Sequence, residues 1–262
     1  MNPAQVVRAF PGKEGVKRNI LAVASGKGGV GKTWFSITLT HALARANARA
    51  LLFDGDLGLA NVDVQLGMTP ERDLGSVTAG QMALADAVTK HTGGFDIVAG
   101  RSGSGSLATL APNRLLALRN ELQTLAQSYD WAVLDLGAGI ERTVRLLAAQ
   151  SRACLVVTTD EPTAITDAYA FIKISAMEKL ADNIQIVVNM AANHRDGERT
   201  YQTLARACRE FLKIEPKLAG VVRRDDHVKD AIRRQTSLLT RHPSCEAATD
   251  AEAIARHLLE TI

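Results

Sequence analysis

ILAVASGKGGVGKTWF, residues 20–35, runs from five apolar residues into a glycine-rich loop and then into a helical pattern. Apolar residues on consecutive positions, rather than alternating ones, predict a strand buried on both faces. Gly26–Thr33, GKGGVGKT, fits G-x-x-x-x-G-K-[ST] through Gly26, Gly31, Lys32 and Thr33. The motif follows a predicted strand and opens a predicted helix, which is the setting it needs. Glycines let backbone N–H groups curl around phosphate oxygens, and the helix N-terminus adds its positive dipole end. The candidate phosphate-binding set is Gly26, Lys27, Gly28, Gly29, Val30, Gly31, Lys32, Thr33 and Trp34. Lys32 is placed to reach the β- and γ-phosphates, and the Thr33 hydroxyl to hold Mg²⁺.

Further short apolar runs follow at Ala50–Asp54, Phe95–Ala99, Trp131–Asp135, Cys154–Thr158 and Ile184–Asn189. Helical patterns lie between them at Trp34–Ala46, Pro112–Ser128, Ile165–Leu180 and Thr200–Phe211. Strand alternating with helix predicts an α/β doubly wound fold, a mostly parallel sheet with helices on both faces. Residues 1–18 read as a short leader and linker before one domain spanning 19–262, and Gly100–Ser106, GRSGSGS, reads as a loop.

The 262 residues suffice for one large domain with a sizeable core. A net charge of +3 is too small to announce nucleic-acid binding by itself. The three cysteines, Cys154, Cys208 and Cys245, make no CxxC pair and no metal-ligand spacing along the chain, which suits a reducing compartment. No signal segment or membrane-length apolar run is present in these residues, so a cytoplasmic protein is expected.

Three carboxylates stand at strand ends, where open α/β sheets place ligands. Asp54 and Asp56 lie in LLFDGDLGLANVDVQLG, and Asp135 ends the apolar run WAVLD. A carboxylate there can orient water and accept its proton. Asp135 has the form of a residue that holds Mg²⁺ directly or through water; as a bare strand end it could equally cap the next helix.

Lys27 is a second lysine for which a phosphate loop alone has no use. With it, the loop resembles the deviant Walker A loop of the MinD/ParA ATPases. The Asp56 segment, the stretch TTDEPTAITDAYAFIKI (residues 158–174) and IVVNM (residues 186–190) resemble the FlhG/FleN branch of that family, the flagellar-number regulators. The resemblance covers about residues 19–262.

It implies a P-loop NTPase fold of the SIMIBI type and a slow, Mg²⁺-dependent ATPase with ATP and ADP as ligands. ATP would close a homodimer in which Lys27 crosses to the partner's phosphates, a cation supplied in trans. Lys27, Lys32 and Asp56 become the catalytic set, with Asp56 positioning water. Thr33, Asp54 and Asp135 become the metal set. Asn189, whose amide offers both donor and acceptor, is carried over as an adenine contact, with Val222 and Arg223 in the late loop GVVRRDDHVKDAIRRQ.

The implied partners are a flagellar transcription activator, an FlhF-like GTPase or a basal-body protein, and the implied location is cytoplasmic, polar or membrane-associated through partners. The alternative is a ParA-like partitioning ATPase that binds nucleoid DNA, for which Arg223, Arg224, Arg233 and Arg234 offer a basic cluster.

Three departures from the family pattern stand out. Residues 2–8, NPAQVVR, put Pro3 where the family's activating glutamine stands, and proline has no such amide. The C-terminal AEAIARHLLETI spaces Ile254, Leu258 and Ile262 as a helix stripe, with Glu252 and Glu260 beside Arg256 on its polar face. A core-packing helix is expected there in place of a cationic membrane anchor. Trp34 replaces a polar residue, either losing a phosphate contact or filling space beneath the loop.

Overall fold

The computed structural model describes residues 19–56, 60–100, 111–178 and 183–262, apart from the Arg142 side chain. The leader, its NPAQVVR segment, the serine-rich stretch after Gly100 and the centre of the Asp56 segment lie outside the described residues.

Among the described residues the chain alternates strand and helix. Strand β1 (Ile20–Ser25) leads into α1 (Lys32–Arg45), and β2 (Ala50–Gly55) into the short helices α2 (Val62–Leu66) and α3 (Leu74–Thr78). After β3 (Val88–Lys90) and β4 (Asp96–Val98) come α4 (Pro112–Ala126), β5 (Trp131–Ala138) and α5 (Arg142–Ala148). The second half runs β6 (Ala153–Thr158), α6 (Pro162–Met177), β7 (Ile184–Ala191), α7 (His194–Ala207) and β8 (Lys217–Arg223). It closes with α8 (Asp226–Arg233), α9 (Leu238–Arg241) and α10 (Glu246–Thr261).

The strands form one sheet in the order β3-β4-β2-β5-β1-β6-β7-β8. Neighbours are parallel except β3 and β4. All six predicted strands are present. Two escaped the pattern: β3 is three residues of an edge hairpin, and β8 is interrupted by Gly220.

The strand pleat explains the layers. Ile20, Ala22 and Ala24 face one apolar cluster with Leu118, Leu122, Phe171 and Ile172 of α4 and α6. Leu21 and Val23 face the other, with Phe35, Leu39 and Leu43 of α1 and Ile254 and Leu258 of α10. Both faces are covered, so β1 and β6 are buried along their whole length. The last helix packs on β8 and α1, with Ile254 and Leu258 inside, as its stripe predicts. No helix among the described residues is long and apolar enough to cross a membrane.

Candidate functional site

The loop between β1 and α1 is fixed from three sides. Gly26 lies against α6 so closely that a Cβ there would stand 2.1 Å from the Asp167 carbonyl oxygen. Gly31 caps α1 in the left-handed region, φ 83°, which favours glycine. Asn189, at the end of β7, donates from Nδ2 to the Val30 carbonyl at 2.8 Å. Over the exposed tip, a Cβ on Gly28 or Gly29 would meet nothing within 4 Å.

Beneath this loop the carboxylates converge. Lys32 Nζ and Asp135 Oδ1 are 2.7 Å apart, with the two side chains 7% and 1% exposed. Ser36, one turn along α1, donates to the same oxygen at 2.9 Å. The other oxygen of Asp135, Oδ2, is buried and has no hydrogen-bond partner among the described residues. Buried acceptors are rarely left unmade.

Asp54 faces Asp135 across the β2–β5 ladder and is fully buried. Its Oδ1 accepts the Asp56 N–H, and its Oδ2 accepts those of Asn61 and Val62, all at 3.2 Å. Burial, and then the negative charge of Asp135, push the Asp54 carboxyl up to about 7 against those hydrogen bonds and the Lys32 charge. Asp56 is half-buried over the last residues of β5, where a Cβ on Gly137 would lie 3.4 Å from its Oδ1.

A buried ammonium, an unmatched carboxylate oxygen and an open glycine loop fit a polyphosphate with a hard divalent cation. Asp135 Oδ2 would supply an oxygen ligand of the type Mg²⁺ prefers, and Asp54 faces Asp135 in the ladder. Thr33 is half-buried in the first turn of α1.

Lys27 points elsewhere. Its side chain is 36% exposed, and its ammonium donates to Glu161 Oε2 and Thr163 Oγ1, both at 2.8 Å. That hydrogen bond and charge hold the Glu161 carboxyl below its usual range. The E-P-T segment thus starts α6 and binds the loop lysine. A separation of 134 residues left no local spacing to reveal this contact.

The remaining candidates are spread around this centre. Asn189 touches the loop backbone, and Val222 is buried at the end of β8. The Arg223 side chain turns toward α10, gripping Asp250 through Nε and Nη2 at 2.9 and 3.0 Å and Glu246 through Nη1 at 2.6 Å. This removes Arg223 from the expected basic cluster; Arg224, Arg233 and Arg234 are exposed. The Trp34 indole is buried beside Gln65, Leu66, Ile232 and Leu238, so any phosphate contact of Trp34 falls to its backbone amide. Of the two readings of this residue, the structure gives the space-filling one.

Comparison with known proteins agrees with the loop. The profile described as the CobQ/CobB/MinD/ParA nucleotide binding domain matches residues 21–238. The chain is 36% identical to the antiactivator FleN of Pseudomonas aeruginosa over 237 residues, 90% of this chain and 85% of that one. It is 31% identical to the flagellum site-determining protein YlxH of Helicobacter pylori, over 83% of this chain and 74% of that one. The crystal structure of the cell division ATPase MinD of Pyrococcus furiosus superposes with a TM-score of 0.80 at 22% identity, covering 94% of this chain and 100% of that one.

Proposed function

Because this chain belongs to the CobQ/CobB/MinD/ParA nucleotide-binding family, on its FlhG/FleN-like branch, we propose that it is an ATP-driven dimerisation switch acting on the flagellar apparatus. Residues 19–262 act as one ATPase domain. The reading is carried by the Lys32–Asp135 pair with its unmatched Oδ2 beneath the glycine loop.

Lys32 and the loop amides hold the β- and γ-phosphates, while Thr33, Asp54 and Asp135 hold the cation. Mg²⁺, when bound, offsets charge on the transferred phosphoryl group. Asp56, whose N–H is bound by Asp54, orients the attacking water and takes its proton. Lys27 engages the start of α6 through Glu161 and Thr163, and none of its hydrogen bonds reaches the Lys32–Asp135 pair. In a face-to-face dimer the same side chain extends to the partner's phosphates and completes the charge stabilisation. Asn189 and the loop after β8, with Val222 and Arg223, border the base.

The partners are a flagellar regulator or basal-body component that reads the dimeric state; the FleN relative is an antiactivator by name, and YlxH determines the flagellum site. The test is ATP hydrolysis per protomer against protein concentration. It rises with concentration in the parent chain and is lost in Lys27→Ala. Asp56→Ala accumulates the dimer with ATP and serves as bait for the partner. Rapid turnover that is independent of concentration and undiminished in Lys27→Ala overturns the switch.

A further inference from the structure

Away from the carboxylates of the phosphate loop, the fold assembles a second group of ligating side chains. The sequence offers it no recognisable spacing. Asp225 follows β8 and caps α8; His227 lies in the first turn of that helix; Cys245 precedes α10. One ligand atom from each of these three residues lies within 4.8 Å of the other two. The Asp225 carboxylate joins both helix starts, accepting the His227 Nδ1 contact at 2.7 Å and the Ala247 N–H at 3.2 Å.

His242 stands next to this group without being one of its three ligands. The turn His242–Cys245 is closed by the Cys245 N–H donating to the His242 carbonyl at 3.3 Å. The His242 ring stacks on His227 with centroids 4.4 Å apart. Its Nε2 is held 2.8 Å from Asp230 Oδ2.

We propose that Asp225, His227 and Cys245 form a binding site for one transition-metal ion of the zinc type, with water completing the coordination. Bonds of about 2.0–2.3 Å to a tetrahedral ion set ligand atoms up to about 3.8 Å apart. The observed spread is wider than this, so binding draws the three side chains together; His227 is exposed while Asp225 and Cys245 are half-buried. One carboxylate and one thiolate balance a 2+ charge. Thiolate and imidazole select zinc or cobalt over magnesium, so this site is chemically distinct from the oxygen-lined cluster of Asp54 and Asp135. Binding displaces the thiol proton to solvent. The ion would tie the loop following Val222 and Arg223 to the start of α10.

The test uses the full chain, stripped with chelator and titrated with Co²⁺ and with Zn²⁺ in excess Mg²⁺. The expected result is one equivalent bound, with a near-ultraviolet thiolate-to-cobalt charge-transfer band. Cys245→Ser removes the band, and both it and His227→Gln weaken binding at least about tenfold. Serine is a good helix cap and His227 is exposed, so both variants fold; circular dichroism verifies this. Thr33→Ala leaves band and stoichiometry intact. No thiolate band, a band that persists in Cys245→Ser, or Zn²⁺ affinity unchanged in His227→Gln overturns the proposal.

Discussion

Lys27 Nζ lies 2.8 Å from Glu161 Oε2, within the same protomer. The lysine proposed to act across a dimer is therefore held at home by the N-terminus of α6, with Thr163 as second acceptor. Dimerisation must break both hydrogen bonds before the ammonium can reach another chain. Glu161→Gln removes the charge and keeps the shape. Its expected effect is a few-fold lower protein concentration for the ATP-bound dimer, measured by sedimentation with ATP. The contact is exposed, so unfolding midpoints stay as in the parent. A dimer that forms no more readily than the parent's would show that this contact is not what restrains Lys27.

Lys32 is tied to stability as well as to phosphate. Its partner Asp135 is 1% exposed, and a buried carboxylate that loses its cation is left uncompensated. Lys32→Ala should therefore lose nucleotide binding and also destabilise the nucleotide-free protein by roughly 3–5 kcal/mol. Urea denaturation without nucleotide gives the figure. Adding Asp135→Asn in the same chain restores part of it, because the charge left behind is gone. Equal midpoints for Lys32→Ala and the parent would show that the pair contributes nothing to the apo fold.

The phosphate loop and its strand–helix setting were legible because their signals are local: glycine spacing, an apolar run, a helical period. The carboxylates could be read for the same reason: Asp54 and Asp56 stand at the end of β2, and Asp135 closes the apolar run of β5, although that strand continues to Ala138. What stayed hidden depends on pairings far apart in sequence. Glu161 meets Lys27 only because β6 lies beside β1, and no periodicity encodes that. Arg223 reads as a basic surface residue, whereas β8 delivers it onto Asp250 of α10. Trp34 reads as an oddity in a phosphate loop until the helix phase turns it into the core. Strand β3 is too short to carry a pattern.

Gly26 and Gly28 separate packing from chemistry in the same loop. A methyl group on Gly26 would stand 2.1 Å from one backbone atom of α6 and 2.2 Å from another, neither of which can rotate aside. Gly26→Ala should cost about 3 kcal/mol and push the loop from its seat, abolishing nucleotide binding. A Cβ at Gly28 meets nothing within 4 Å, so Gly28→Ala should unfold like the parent. Thermal melts of the two variants side by side decide this. Equal loss in both would mean that the backbone freedom of the loop, rather than its approach to α6, sets its stability.

His41 gives the fold an acid edge remote from the phosphate loop. It lies in the middle of α1, 5% exposed, with Nδ1 2.6 Å from Ser237 Oγ and its ring against Phe95. Burial first, then the positive charges of His91 and Arg45, depress its pKa from the ordinary 6.5 to about 4. The unfolded chain therefore binds a proton at a pH where the folded chain does not, and stability falls as that proton is taken up. The contribution is complete above about pH 6.5 and is lost progressively as pH falls toward 4. It amounts to about 2–3 kcal/mol across that window. His41→Gln keeps a polar side chain opposite Ser237 without the titration. Denaturation midpoints from pH 4 to 7 should then slope less steeply than in the parent chain. Identical slopes would place the acid sensitivity on other groups, His91 among them, whose pKa burial also lowers.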